Sequence, residues 1–214
     1  MRAAGILVFC LFSSILSTVT SLKCQKCVAP INECEGEDVK VEECKEDEEF
    51  CSTVVFNSTI TKHSVNLVIK ECSKREQCLN GFFSATVIDG RYELSKANCC
   101  HTDVCNAEPL LLEKYEEFQP NSLRCPSCYA EDVDSCEADR KVTCVGEEDQ
   151  CVTVTSTTVA YGNFTEKHTF QGCSTNTFCS YPLGESQMGD GLFQFNVTTL
   201  KCRSAHLPDP DYMW

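Results

Sequence analysis

The residues best placed to do chemistry in this 214-residue chain are its 19 cysteines. Cysteine thiols form disulfides, ligate zinc or exchange electrons, and their spacing and surroundings decide among these. The stretch CCHTDVCN, which ends at Asn106, places two cysteines side by side. Because neighbouring side chains on a strand point to opposite faces, Cys99 and Cys100 are expected to have different partners.

Two Cys-x-x-Cys pairs, Cys24–Cys27 and Cys125–Cys128, have the spacing of zinc and redox sites. A structural zinc site needs a second pair or closely spaced histidines. The four histidines are well separated: His63, His101, His168 and His206. Disulfides are therefore favoured, and we expect no metal and no cofactor.

Catalytic motifs are missing from the sequence. It contains no Gly-x-Ser-x-Gly elbow, no His-Glu-x-x-His pair and no glycine-rich phosphate loop. Serine, histidine and aspartate side chains on different loops can converge in a fold, but nothing in the spacing indicates that they do. We therefore predict no catalytic residues and no enzyme activity.

Residues 1–21 have the layout of a cleaved secretory signal peptide: a positive start, a short apolar middle and small residues at the exit. A membrane anchor is disfavoured because serines interrupt the apolar run. Without this segment 18 cysteines remain, and an even number suits complete pairing in an oxidising compartment. No later segment is apolar for long enough to span a bilayer, and the end lacks the hydrophobic tail of a lipid-anchor signal. We expect a secreted, extracellular protein without a membrane anchor.

The chain is acidic, with a formal net charge of −14. Nucleic acid and anionic membrane surfaces repel such a chain, whereas a basic protein partner does not. Three sequons predict N-glycosylation at Asn57, Asn163 and Asn196.

The cysteine spacing repeats after about one hundred residues. Successive spacings are 3, 7, 10, 7, 21, 6 and 21 from Cys24, and 3, 8, 8, 7, 22, 6 and 23 from Cys125. The chain is therefore divided into two homologous modules, residues 22–106 and 123–214, joined by a linker over residues 107–122. Modules of this size bury little apolar surface, and disulfides supply much of their stability.

The secondary-structure signals are those of β-strands. Runs such as STVVF and VNLVIKE are rich in β-branched residues, and Asp89-Gly90 between two such runs predicts a hairpin. The stretch GLFQFNVTTL alternates, so Phe193 should face inward and Asn196 outward. Cys202 lies six residues after Asn196, so strict alternation would point both side chains to the same face. The strand must therefore end or bulge before Cys202.

With LxCxxC at its start and CCHTDVCN at its end, the first module resembles the LU domain, the three-finger fold of lymphocyte antigen-6 and the urokinase receptor. The resemblance implies an all-β, disulfide-rich protein of two tandem LU domains, in which Asn106 ties down the end of the first. It also implies nine disulfides: Cys24–Cys51, Cys27–Cys34, Cys44–Cys72, Cys78–Cys99, Cys100–Cys105, Cys125–Cys151, Cys128–Cys136, Cys144–Cys173 and Cys179–Cys202.

The second module departs from this pattern, since Cys202 is not followed by a second cysteine or by Cys-Asn. With no terminal loop there, we expect fast amide exchange after Cys202 and protection over residues 100–106. A complete module followed by one that lacks the last bridge resembles the gamma-type phospholipase A2 inhibitors and their secreted mammalian relatives. This resemblance implies a non-catalytic protein that binds a secreted phospholipase A2, and the acidic charge of the chain favours a basic enzyme. The alternative is an extracellular interaction or adhesion protein, or a soluble receptor ligand, with no enzyme target.

Two segments are candidates for partner binding. The acidic run from Glu33 to Glu49 is either a solvated loop or a surface for a basic partner, and its candidate residues are Glu46, Asp47, Glu48 and Glu49. The linker prolines predict one or two helical turns that align three apolar residues, Leu111, Tyr115 and Phe118. These residues either pack between the modules or contact a partner.

Overall fold

The computed structural model describes residues 21–36 and 39–207, and its regular structure is almost entirely β. The predicted signal peptide, except for its last residue, lies outside the described residues, as does the tail from Pro208 to Trp214. The first module has seven strands: β1 (Lys23–Gln25), β2 (Cys27–Pro30), β3 (Val41–Glu43), β4 (Phe50–Ser58), β5 (Val65–Ser73), β6 (Gly81–Thr86) and β7 (Tyr92–Cys100).

The second module has six strands, the first of which starts inside the segment predicted as linker: β8 (Pro120–Glu131), β9 (Arg140–Val145), β10 (Gln150–Ala160), β11 (Phe164–Ser174), β12 (Gly184–Met188) and β13 (Phe193–Ser204). Single turns of 3-10 helix occur at Arg75–Gln77, Ile88–Gly90, Tyr115–Glu117 and Phe178–Ser180. Over residues 21–36 and 39–207 no helix has the length and apolar character that a membrane crossing requires. The predicted all-β, disulfide-rich class is confirmed.

Two local predictions are also confirmed. β6 and β7 pair as an antiparallel hairpin around Asp89 and Gly90. β13 carries a bulge, because Thr155 of β10 faces Thr199 while the next residue, Ser156, faces Val197. The extra residue of the bulge lies between Asn196 and Cys202, so the two side chains no longer follow one alternation, as the sequence predicted.

The nine disulfides of the structure join the pairs that the resemblance implies, with Cα–Cα distances from 5.3 to 6.1 Å. The adjacent cysteines have separate partners, Cys78 for Cys99 and Cys105 for Cys100. In each module two buried disulfides stack at the base of the strands and form a small sulfur core of their own.

Both modules contribute to one sheet. Its strands follow the order β12-β13-β10-β11-β6-β7-β4-β5-β2, and the modules meet where β6 pairs with β11. The paired residues are Thr86 with Cys173 and Ala85 with Ser174. Gly172 allows this approach, because a Cβ atom there would lie 2.2 Å from the carbonyl oxygen of Thr86.

The modules also meet at a second place, where the β12–β13 turn contacts β5. The turn between β12 and β13 reaches the first module, where the Glu71 carboxylate accepts the N–H groups of Gly189 and Asp190 at 2.9 and 3.3 Å. Phe193 packs beside this turn against Leu67 and Ile69. The largest apolar cluster is likewise shared by both modules: Ile60, Phe83, Ala85, Val87, Ile88, Ala97, Val152, Val154, Phe170 and Phe178. Together these contacts hold the two modules as a single folded body.

The end of the second module differs from our expectation. β13 continues to Ser204, the N–H of Ala205 donates to Asp149 O at 2.8 Å, and the N–H of Arg124 donates to His206 O at 3.0 Å. This contradicts fast exchange at Ala205, because its N–H is hydrogen-bonded; for residues 208–214, which lie outside the described residues, fast exchange stays a prediction.

Candidate protein-binding surface

The cysteine clusters leave no thiolate for a metal. Three sulfurs lie within 4.8 Å of one another in each module, at Cys24, Cys44 and Cys72 and at Cys125, Cys144 and Cys173. All six belong to disulfides. A disulfide sulfur carries no negative charge to offer zinc, so these clusters serve the fold.

One serine–histidine contact is present in the interior, and the sequence did not reveal it. Ser156 Oγ lies 3.0 Å from His168 Nε2, and both residues are buried. The other ring nitrogen, Nδ1, has no hydrogen-bond partner within the described part of the chain. Burial lowers the pKa of His168 to about 4. A nucleophilic site needs access for its substrate and a third group that fixes the histidine tautomer. The buried Ser156–His168 pair provides neither.

The acidic segment of residues 46–49 is largely engaged with the first module itself. Lys74 pairs with Asp47 and Arg75 pairs with Glu49. Glu48 accepts the N–H of Lys45 at 2.9 Å and closes the turn between β3 and β4. The Lys74 ammonium lowers the pKa of Asp47, through a direct hydrogen bond. Of this segment, only Glu46 forms no ion pair among the described residues.

The equivalent acid of the second module holds the modules together. Glu148 precedes its cysteine by three residues, as Glu48 does, and accepts the N–H of Val145 at 3.0 Å. It is completely buried against β6, where it also accepts hydrogen bonds from the hydroxyls of Ser84 and Thr86. Burial raises the pKa of Glu148.

Polar side chains surround this joint. Ser127 Oγ accepts the N–H of Ile88 at 3.0 Å, and Arg140 forms a two-bond ion pair with Asp89 across the modules. Exposed ion pairs contribute little to stability, so Arg140 sets the orientation of the modules more than their affinity.

The linker does not form the predicted helix face. Only Tyr115–Glu117 is helical, as a single 3-10 turn, and residues 110–114 follow an irregular path. The Tyr115 ring stacks on Tyr92 at 4.2 Å and its hydroxyl lies 3.1 Å from Thr86 Oγ1. Phe118 stacks on another aromatic side chain, Phe82, at 5.6 Å. These two linker residues pack on the first module, whereas Leu111 is 74% exposed.

Exposed carboxylates outnumber the one exposed lysine, Lys114, along the linker after Leu111 and at the β9–β10 turn. We call this surface the linker ridge and define it as Leu111, Glu113, Glu116, Glu117 and Glu147. The four carboxylates are exposed, and none forms an ion pair within residues 21–36 and 39–207. Glu147 belongs to the ridge because its neighbour Gly146 donates its N–H to the carbonyl of Gln119, and a Cβ added at Gly146 would lie 2.9 Å from the Phe118 ring.

A second exposed patch lies at the tip of the β10–β11 hairpin. Tyr161 and Phe164 are 58% and 60% exposed, and Leu192 of the neighbouring turn lies beside them. The sequon residue Asn163 stands between the two rings in sequence and is exposed. Asn57 and Asn196 are half-buried on β4 and β13, and glycosylation of all three remains a prediction.

The family of the chain follows from comparison with known proteins. The u-PAR/Ly-6 domain family matches residues 20–108 and 121–207. Because these two matches include most of the chain, it belongs to this family, and the resemblance found in the cysteine pattern is confirmed.

Several curated relatives are named as phospholipase A2 inhibitors. The 25 kDa subunit of such an inhibitor from Naja kaouthia is 26% identical over 88% of this chain and 97% of its own length. The inhibitor PIP from Malayopython reticulatus is 27% identical over 93% and 94%. Protein RoBo-1 from Rattus norvegicus is 33% identical over a shorter region, 51% of this chain and 43% of its own length.

Proposed function

We propose that this chain is an extracellular, non-catalytic protein that binds a secreted phospholipase A2. The observation that carries the proposal is similarity over nearly the whole length of proteins named as inhibitors of that enzyme, with both modules included. The disulfide content supports an oxidising, extracellular location.

The linker ridge is the surface that we propose for the enzyme. Its four carboxylates, which form no ion pair among the described residues, give a negative field in the segment that follows an exposed leucine, and this suits a basic enzyme surface with an apolar rim. Charges at the edge of an interface act mainly on the association rate and are screened by salt. The ridge therefore steers the partner, and Leu111 contributes apolar contact after the encounter.

The proposal is tested by surface plasmon resonance with a basic secreted phospholipase A2 and two matched sets of four neutral substitutions. One set removes the ridge charge: E113Q, E116Q, E117Q and E147Q. The other removes the same charge from the acidic segment: E46Q, D47N, E48Q and E49Q. We expect the ridge set to lower the association rate about tenfold at low salt, and the segment set to have a smaller effect.

The other outcomes point elsewhere. Equal effects of the two sets mean that net charge, not the ridge, steers the enzyme. No binding to any secreted phospholipase A2 at micromolar concentration contradicts the proposal and favours an extracellular adhesion or receptor-ligand role.

A further inference from the structure

A cleft of about 230 Å³ lies beside the linker on the first module. Three consecutive linker residues form one side of it: Leu110, Leu111 and Leu112. The first and the last of these leucines pack against two buried valines, Val55 of β4 and Val68 of β5. The cleft is therefore bounded by the linker and by these two strands.

The predicted glycosylation site at Asn57 opens into this cleft. Asn57 is half-buried on β4, and it lines the cleft together with Asn66, the residue opposite it on β5. A sugar attached to Asn57 Nδ2 would therefore begin inside the cleft. The sequon residue Asn163 differs, because it is exposed at the tip of the β10–β11 hairpin.

The size of the cleft suits a single sugar. Its volume of about 230 Å³ is below the roughly 300–1,000 Å³ of sites that enclose drug-sized ligands. One sugar ring is small enough for such a space, whereas the branches of a glycan must extend out of it. The first sugar of an N-linked glycan is N-acetylglucosamine, which combines apolar ring faces and a methyl group with hydroxyls and an amide.

The residues that line the cleft offer partners for both kinds of group. The linker leucines supply apolar surface, and Asn32 and Asn66 supply exposed carboxamides. Lys70 also lines the cleft and is 2% exposed. Its Nζ donates to Gln25 Oε1 and to Ala107 O, both at 2.9 Å. Within the described part of the chain these are its two acceptors, so the third N–H of the ammonium can donate to the acetamide carbonyl of a sugar.

The charges around Lys70 favour a neutral ligand over an anion. Burial lowers the pKa of Lys70, and the carboxylates of Glu35 and Glu108 act in the opposite sense. These two carboxylates already balance part of the ammonium charge, and they would repel an anion that enters the cleft.

We propose that the first N-acetylglucosamine of a glycan on Asn57 occupies this cleft and holds the linker on the first module. The sugar then adds to the stacking of Tyr115 and Phe118, which fix the later part of the linker. The inference does not depend on the proposed phospholipase function, because it concerns contacts within one glycoprotein. Leu111 and Glu113 belong to both the cleft and the linker ridge, so a partner of the ridge comes close to this glycan.

The test uses protein secreted from mammalian cells, with glycan occupancy mapped first by mass spectrometry of its glycopeptides. Peptide-N-glycosidase F hydrolyses the bond between asparagine and the first sugar, so its rate reports on access to that sugar. In the native protein we expect release from Asn57 to be about tenfold slower than from the exposed control site Asn163, because the enzyme must wait for the linker to open. After reduction and denaturation both glycans should be released at the same rate.

A second measurement asks whether the sugar holds the linker. Endoglycosidase H trims high-mannose glycans to a single sugar at each site, whereas N57Q removes the sugar from this site alone. Glutamyl endopeptidase should cut after Glu113 several times faster in N57Q than in the trimmed protein. The matched variant N163Q should leave cleavage at this position unchanged.

Each of three outcomes overturns the proposal. The first is secreted protein that carries no glycan on Asn57. The second is release from Asn57 that is as fast in the native protein as after denaturation, since the sugar would then lie in open solvent. The third is cleavage after Glu113 at the same rate in N57Q and in the trimmed protein.

Discussion

At the scale of single residues, Glu48 and Glu148 show how one position of a repeat acquires two roles. The carboxylate of each accepts a hydrogen bond from the main-chain N–H of the residue three positions earlier. It thereby closes the turn that precedes β4 in the first module and β10 in the second. Only Glu148 is covered by the other module, where Ser84 and Thr86 donate to it. The buried carboxylate of Glu148 is tolerated because three hydrogen-bond donors replace the hydrogen bonds to water that it loses on burial.

This comparison predicts unequal costs for the same truncation. E148A should lower the free energy of unfolding by about 2–4 kcal/mol, because it leaves the buried Ser84 hydroxyl and the Val145 N–H without their acceptor. The matched variant E48A should cost about 1 kcal/mol or less, since it removes only a turn contact. Chemical denaturation with the disulfides intact measures both values. Equal losses would contradict a docking role for Glu148.

Glu93 provides a pH-dependent prediction. It is half-buried on β7, and burial raises its pKa to about 7 from an ordinary value of 4.5. The folded state therefore binds a proton between these values that the unfolded state has released, so this group stabilises the fold as the pH falls from 7 to 4.5. E93Q should unfold at a higher temperature than the unaltered protein at pH 8 and at a similar temperature at pH 4.5. A difference that does not change with pH would contradict this assignment.

At the scale of elements, the joint between β6 and β11 depends on the missing side chain of Gly172. The residue at the same repeat position in the first module is Glu71. Gly172 and Glu71 therefore both take part in contacts between the modules. A side chain at 172 would push on the main chain of Thr86, which cannot move without breaking the strand pairing.

G172A should therefore separate the strands at this joint, lower the unfolding temperature by several degrees and increase proteolysis at the linker. G184A is the control: an added Cβ meets no atom within 4 Å there, but φ is +98°, so that variant reports backbone strain alone. Similar proteolysis of the two variants would show that the β6–β11 contact is dispensable.

The apolar residues of the linker should differ in their contribution to stability, because two of them pack on the first module and one is exposed. Truncating Tyr115 or Phe118 to alanine should cost about 1–3 kcal/mol each, because each ring stacks on an aromatic side chain of the first module. L111A should change stability by less than about 0.5 kcal/mol, since that side chain is exposed. Thermal unfolding compares the three, and a large loss for L111A would mean that it packs on the body after all.

The sequence predicts the elements better than their assembly. The β-class, the hairpin at Asp89-Gly90 and the bulge before Cys202 follow from local rules of propensity and alternation. The linker fold does not, because its apolar spacing suits a helix and an irregular path equally, and packing on Tyr92 decides between them. The pairing of Asp47 and Glu49 with residues more than twenty positions away is likewise invisible to a local pattern.

At the scale of the whole molecule, the two modules form one body, joined by the β6–β11 pairing within the shared sheet and by the contact of the β12–β13 turn with Glu71. Its acidic charge is distributed unevenly between paired and unpaired carboxylates. Salt bridges within the first module neutralise much of the acidic segment, whereas the linker ridge keeps its charge. We therefore expect the linker ridge to attract a basic partner more strongly than the acidic segment does.

The central claim, that the chain acts on a phospholipase A2 by binding and not by chemistry, is tested by titrating enzyme activity with the intact protein. Fatty-acid release from phospholipid vesicles should fall to a plateau at a fixed molar ratio. Hydrolysis of a soluble short-chain substrate should persist if, as we propose, the bound chain covers the lipid-binding face of the enzyme and leaves its catalytic groups free. Inactivation by far less than one equivalent, or undiminished hydrolysis of vesicles at saturating protein, would contradict the account.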